Sequence, residues 1–202
     1  IMLKEHNINK LNNFISGYYT DKKVCDNLIT YFEKSNNKKD GVLLSAYGKY
    51  VVNKDKKAST DLGCRVTDNN KDIQNYLSQL NLALEAYKKQ YPYCDKQQDK
   101  WAICEDFNIQ KYKPSESYSQ WHCEMSGIPS IYRHLTFMTY LNDVKKGGET
   151  EWFHQKLKIK PEKGLTVIWG TNWQTIHRGV PALKETKYIA TGWYGYIPYT
   201  VN

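Results

Sequence analysis

Apolar residues recur along this chain with two different periods. Val24, Cys25, Leu28, Ile29 and Phe32 fall on one helical stripe, with Asp21 placed to cap its start. From Asn70 to Gln90 the positions Ile73, Tyr76, Leu77, Leu80, Leu82, Leu84 and Tyr87 mark a second helix, which Asn70 or Asp72 can cap. Between the two, Gly41, Gly48, Gly63 and the polar run 52–60 predict short strands and loops. From Trp101 onward the period shortens. Segments rich in Val, Ile, Thr, Tyr, Phe and Trp cover residues 107–112, 118–124, 134–141, 156–159, 165–169 and 187–196. Turn signals such as Lys113-Pro114-Ser115, Lys145-Lys146-Gly147-Gly148 and Lys160-Pro161-Glu162-Lys163-Gly164 separate them. This pattern predicts a mainly β fold of α+β class. Residues 1 to about 100 supply helices and short strands, packed outside a sandwich or barrel over about 101–202, in one domain.

Composition narrows the function classes. The 202 residues carry a formal charge of +8, but only three of the 29 basic residues are arginine: Arg65, Arg133 and Arg178. Arginine is the side chain that reads phosphate and guanine bidentately, so a lysine excess of this kind predicts a solvated surface and points away from a nucleic-acid partner. Five scattered cysteines, with no C-x-x-C pair, predict free thiols. No apolar run reaches the roughly 18 residues of a membrane span, and the first residues show no signal-peptide core. The expectation is a cytoplasmic protein without membrane contact.

Candidate chemistry sits in Trp121-His122-Cys123-Glu124. On an extended segment the period of two turns His122 and Glu124 to one face. His177, fifty-five residues on and placed between a strand and a turn, can complete the set. Two imidazoles and one carboxylate on one side of a metal leave open positions, the facial arrangement of non-haem Fe(II) oxygenases. Downstream, Lys187, Ile189, Thr191 and Trp193 share one strand face. A lysine facing a barrel interior calls for an anion, such as the tail carboxylate of a dicarboxylate, to which Thr191 can add a hydrogen bond. The same alternation groups His134, Thr136, Met138 and Tyr140 as a mixed polar face expected to line the pocket, although His134 alone reads as a core histidine satisfied by a neighbour.

Together these segments resemble the prolyl 4-hydroxylase-like group of 2-oxoglutarate oxygenases, including phage-encoded members, over about residues 105–196. The resemblance rests on Ile109 to Tyr112 leading to His122 and Glu124, on Leu135 to Asp143, on Gly147-Gly148-Glu149-Thr150-Glu151-Trp152-Phe153, and on His177-Arg178-Gly179-Val180-Pro181 followed by Lys187 and Thr191-Gly192-Trp193. It implies a double-stranded β-helix of jelly-roll type. It also implies Fe(II) held by His122, Glu124 and His177, with 2-oxoglutarate anchored by Lys187 near the Tyr112, Tyr140 and Thr191 hydroxyls. Glu124 departs from the commoner aspartate of that pattern.

The same resemblance implies O2 as oxidant, release of succinate and CO2, and ascorbate as a reductant. It favours hydroxylation of a proline in a peptide or protein, for which Trp121, Trp152, Trp169 and Trp173 offer aromatic surface. A free amino acid or another peptidyl side chain is the alternative substrate. A jelly-roll binding module without turnover is the alternative class.

Overall fold

The computed structural model describes residues 4–8, 13–44, 48–96 and 98–197. Among these residues lie fourteen strands, two α-helices and three short 3-10 turns. The N-terminal half holds β1 (Lys4–His6), β2 (Ser16–Tyr19), helix α1 (Lys22–Lys34), β3 (Lys39–Asp40), β4 (Leu43–Leu44), β5 (Tyr50–Val51), β6 (Thr60–Cys64) and helix α2 (Lys71–Gln90). The C-terminal half follows with β7 (Trp101–Ile103), β8 (Phe107–Tyr112), β9 (Arg133–Tyr140), β10 (Thr150–Trp152), β11 (Leu157–Ile159), β12 (Leu165–Gly170), β13 (His177–Gly179) and β14 (Lys187–Tyr196).

Both helices start where the sequence places them. The Asp21 carboxylate accepts from the Lys23 amide and the Asn70 side chain accepts from the amides of Asp72 and Ile73, satisfying donors that a helix start leaves unpaired. Their apolar stripes are buried at Cys25, Leu28, Phe32, Ile73, Tyr76, Leu80 and Leu84, whereas Leu82 turns to solvent.

Nine antiparallel strands form the major sheet, in the order β1-β2-β12-β9-β14-β8-β6-β3, with β7 also paired to β14. Two of its inner strands, β2 and β6, come from the N-terminal half, so the sheet is not confined to residues beyond Trp101. The alternation along β9 and β14 then divides the interior. One face presents Leu135, Phe137, Ala190 and Tyr194 to the helices, together with Phe107 and Ile109 of β8. The other face presents Met138, Tyr140 and Ile189 to a second core that includes Tyr112, Trp152, Val167 and Trp169. Burial of such large side chains contributes about 1.5–3 kcal/mol each. Facing this second core is a minor sheet in the order β11-β10-β13.

Three details differ from the sequence expectation. Residues 118–124 form no ladder strand; they are held by single bridges, Lys57 to Tyr118 and His122 to His177. His177 does not follow a strand but opens β13. Trp152 and Trp169, each 1% exposed, are core residues and offer no peptide surface, unlike Trp173, which is 63% exposed.

Candidate active site

The minor sheet positions the site. His177 lies opposite Trp152 in the β10/β13 ladder, and on its other side exchanges both backbone hydrogen bonds with His122, at 3.0 and 2.9 Å. That pairing brings the two imidazoles to a centroid separation of 4.3 Å. The two-residue alternation then delivers Glu124 to the same face, although no ladder extends beyond the bridge. Glu124 Oε1 lies 3.6 Å from His122 Nε2 and 3.2 Å from His177 Nε2. One ligand atom from each of the three lies within 4.8 Å of the others, the spacing that a metal ion needs.

Each imidazole is oriented from behind. His122 Nδ1 is 2.8 Å from the Gln120 carbonyl and His177 Nδ1 is 2.9 Å from the Thr175 carbonyl. A carbonyl only accepts, so each Nδ1 carries its proton and each Nε2 keeps its lone pair for the shared centre. Tyr118 stacks on the His122 ring at 3.6 Å and 8°. Burial and the neighbouring His177 push the His122 pKa down, favouring the neutral ring that ligates metals. Burial alone would raise Glu124, but the adjoining His122 and His177 outweigh it and hold the carboxyl well below its ordinary value. The donor set therefore fits a divalent cation of Fe(II) type: two neutral imidazoles and one carboxylate.

A second demand comes from Lys187, which lines the same cavity and is 4% exposed. Its Nζ donates to the Gly148 carbonyl at 3.2 Å and sits 4.9 Å over the Tyr112 ring. Gly147 and Gly148 both have φ of +77°, the left-handed conformation glycine tolerates, and that turn aims the carbonyl inward. Among the described residues no carboxylate pairs with this lysine, and burial lowers its pKa from 10.5 to about 8 despite the charge of Glu149. A buried cation without an acid calls for an anionic ligand. Trp169 Nε1, whose ring lines the same cavity, is likewise buried without a protein partner among the described residues.

Of the seven residues singled out in the sequence, six line this one cavity: Tyr112, His122, Glu124, His177, Lys187 and Thr191. The Tyr112 hydroxyl donates to Gln110 at 2.8 Å and that of Thr191 to the Phe137 carbonyl at 2.9 Å. Tyr140 stands behind the wall. Its hydroxyl donates to Thr150 Oγ1 at 2.7 Å, and Thr150 rather than Tyr140 meets the cavity.

Of the expected pocket face of β9, Met138 lines the cavity, whereas His134 is satisfied by a neighbour, as expected of it alone. His134 points away, with Nε2 2.7 Å from the Cys94 carbonyl and its ring against Trp101. Leu135 pairs with Tyr194 and Arg133 with Gly195, so His134 is an extra residue opposite two consecutive positions of β14. This bulge reverses the alternation and turns Arg133 into the site instead. No local sequence signal marks it.

Residues 107–195 match the model of the 2OG-Fe(II) oxygenase superfamily. That match takes in less than half of the chain and likens this segment, which holds the site, to that superfamily. Among curated proteins, the probable prolyl 4-hydroxylase 9 of Arabidopsis thaliana is 30% identical, over 44% of this chain and 40% of the relative. Prolyl 4-hydroxylase 13 of the same plant is also 30% identical, over 44% of this chain and 42% of its own length. The chain thus spans less than half the length of these relatives. Among solved structures, the viral collagen prolyl hydroxylase of Paramecium bursaria Chlorella virus-1, in complex with 2-oxoglutarate, superposes with a TM-score of 0.66 at 22% identity. That match covers 91% of this chain and 97% of the viral one. The prolyl hydroxylase of Trichoplax adhaerens, solved with a hypoxia-inducible-factor peptide, gives 0.71 at 16% identity, covering 91% and 84%. At these identities the structures establish a shared double-stranded β-helix fold. No helix among the described residues is long and apolar enough to cross a membrane.

Proposed function

We propose that this protein is an Fe(II)- and 2-oxoglutarate-dependent dioxygenase that hydroxylates an unactivated C–H bond, with a peptidyl proline as the preferred target. The observation that carries the reading is the convergence of two imidazole nitrogens and a buried carboxylate in a cavity that also buries a cation without an acid. His122, Glu124 and His177 hold the metal in this reading. Lys187 binds the far carboxylate of 2-oxoglutarate, with the Tyr112 ring beneath it and Thr191 beside it. Bound Fe(II) supplies the O2 chemistry that amino-acid side chains lack. In the overall reaction 2-oxoglutarate, O2 and the substrate C–H become succinate, CO2 and the substrate C–OH. The protein's own contribution is orientation and exclusion of water. The described residues act as one unit in this reading, because strands from both halves interleave in the major sheet.

The names of the curated relatives and the peptide held by the Trichoplax enzyme support a proline-containing peptide substrate. So does the rim of the cavity, where Arg178 stacks on Trp121 at 4.5 Å and Trp121 meets the exposed Phe153 ring. Five free cysteines agree with a reducing, cytoplasmic setting. The test is turnover of 2-oxoglutarate to succinate by purified protein with Fe(II), alone and with proline-rich peptides. Loss of turnover in His122→Ala and His177→Ala, together with a peptide mass gain of one oxygen, is the expected result. Undiminished turnover in those variants removes the metal assignment. Oxygen gained only by a free amino acid or by another side chain removes the proline assignment.

A further inference from the structure

Glu124 is one methylene longer than aspartate, and a longer arm is harder to hold in one place. Each added rotatable bond costs conformational entropy when it is fixed. In this chain the arm is fixed from the far side. Trp193 Nε1 donates to Glu124 Oε2 at 2.9 Å. Arg133 Nη1 lies 3.8 Å from the same Oε2 and donates to the Glu124 backbone carbonyl at 3.2 Å. Arg133 is itself pinned: its Nε and Nη2 donate to the two Glu105 oxygens at 2.8 and 2.9 Å. Its guanidinium carbon lies 3.6 Å from the centroid of the Trp193 ring. The bulge at His134 is what brings Arg133 to this position, and the pairing of Trp193 with Thr136 fixes the indole on the barrel wall. Oε2 is therefore occupied by donors, and only Oε1 faces the two histidines.

Resting on the metal-centre reading above, we infer that Trp193 is a positioning residue. With Arg133 stacked on it, it keeps Glu124 offering a single oxygen to the metal, so that the longer carboxylate does not close over a position the co-substrate needs. Glutamate and brace form a matched pair. Outer partners of metal ligands commonly change affinity by about 10–100-fold, and the indole N–H is the one neutral donor in the set, so it can be removed without altering charge.

The test uses the whole chain and Co(II) as an optical probe of affinity and coordination number, titrated anaerobically without substrate. Trp193→Phe keeps the ring under Arg133 and deletes only the donor. It is expected to weaken Co(II) binding by about tenfold and to change the visible Co(II) spectrum, while the metal-free protein stays folded by circular dichroism and melts only a few degrees lower for the lost hydrogen bond. Arg133→Lys, which keeps the charge but loses the stack and the fork to Glu105, is expected to shift the spectrum in the same direction. In a Glu124→Asp background, where the shorter arm no longer reaches the indole, Trp193→Phe is expected to cost under twofold. Co(II) affinity and spectrum equal to the parent in Trp193→Phe overturns the brace, as does an equal loss in both backgrounds. If the parent itself fails to bind Co(II), or binds it as well after His177→Ala, the metal-centre reading falls instead.

Discussion

Two lysines are buried along the same cavity and are treated in opposite ways. Lys57, 6% exposed, is neutralised: its Nζ is 2.8 Å from Asp61 Oδ2, and Asp61 also accepts from Ser59 and from Gln110. Lys187, 4% exposed, has the Gly148 carbonyl and the Tyr112 ring, and among the described residues no carboxylate at ion-pair distance. Gln110 links the two, since it donates to Asp61 and accepts from the Tyr112 hydroxyl. The first lysine is finished by the fold. The second has no carboxylate partner among the described residues, and in the proposed function the co-substrate supplies one.

The largest expected effect is on the finished pair. Lys57→Met leaves Asp61 buried without its cation, which costs about 3–5 kcal/mol and should lower the melting temperature by roughly 10 °C. Lys57→Met combined with Asp61→Leu should recover part of that loss. A single variant melting with the parent would erase the contrast from its structural side.

Next comes the unfinished lysine. Lys187→Met should leave the metal-free protein as stable as the parent or more so, because an uncompensated buried cation is gone. It should weaken 2-oxoglutarate binding by about 10²–10³-fold, the usual cost of truncating one side of a buried charge pair. Calorimetric titration together with thermal melts separates the two readouts.

A smaller effect follows from pH. Lys187 titrates near 8 in the fold and near 10.5 when unfolded. Between those values the unfolded chain binds more protons, so the contribution of Lys187 to stability rises with pH across that window. Co-substrate binding needs the charged form, so affinity should fall by up to about tenfold per pH unit above about 8. Lys187→Arg, which keeps its charge, should flatten that dependence. A flat profile in the parent would mean that Lys187 does not bind the anion.

The smallest change expected is that of Tyr112→Phe. It keeps the ring under Lys187 and loses one hydrogen bond to Gln110, about 1 kcal/mol. A 2-oxoglutarate affinity shifted by more than about tenfold would give the hydroxyl a direct contact with the ligand.

Much of this was legible in the sequence because burial imposes a period. The helical stripes led to α1 and α2, and alternation correctly placed Lys187 and Thr191 on the cavity wall and brought His122 and Glu124 to one face. Other features escaped for definite reasons. The bulge at His134 exchanges Arg133 for His134, and one extra residue leaves no mark in a pattern of twos. Lys57 stands in a run with Lys54 and Lys56 that looks solvated, and its partner is fixed by β6 crossing to β8. Trp152 and Trp169 resemble binding surface in sequence and are core in three dimensions, where they flank His177. Tyr140 has the right face but the wrong depth, with Thr150 between it and the cavity.

In the proposed function His122, Glu124, His177 and Lys187 make one site for a metal and a keto-dicarboxylate. Its most direct test is anaerobic titration of the protein with Fe(II) and then 2-oxoglutarate, following the visible charge-transfer absorption of the chelate. The predicted result is a saturable band that needs both additions, disappears in His177→Ala, and requires far more 2-oxoglutarate in Lys187→Met. A band of undiminished strength and affinity in both variants would contradict the account.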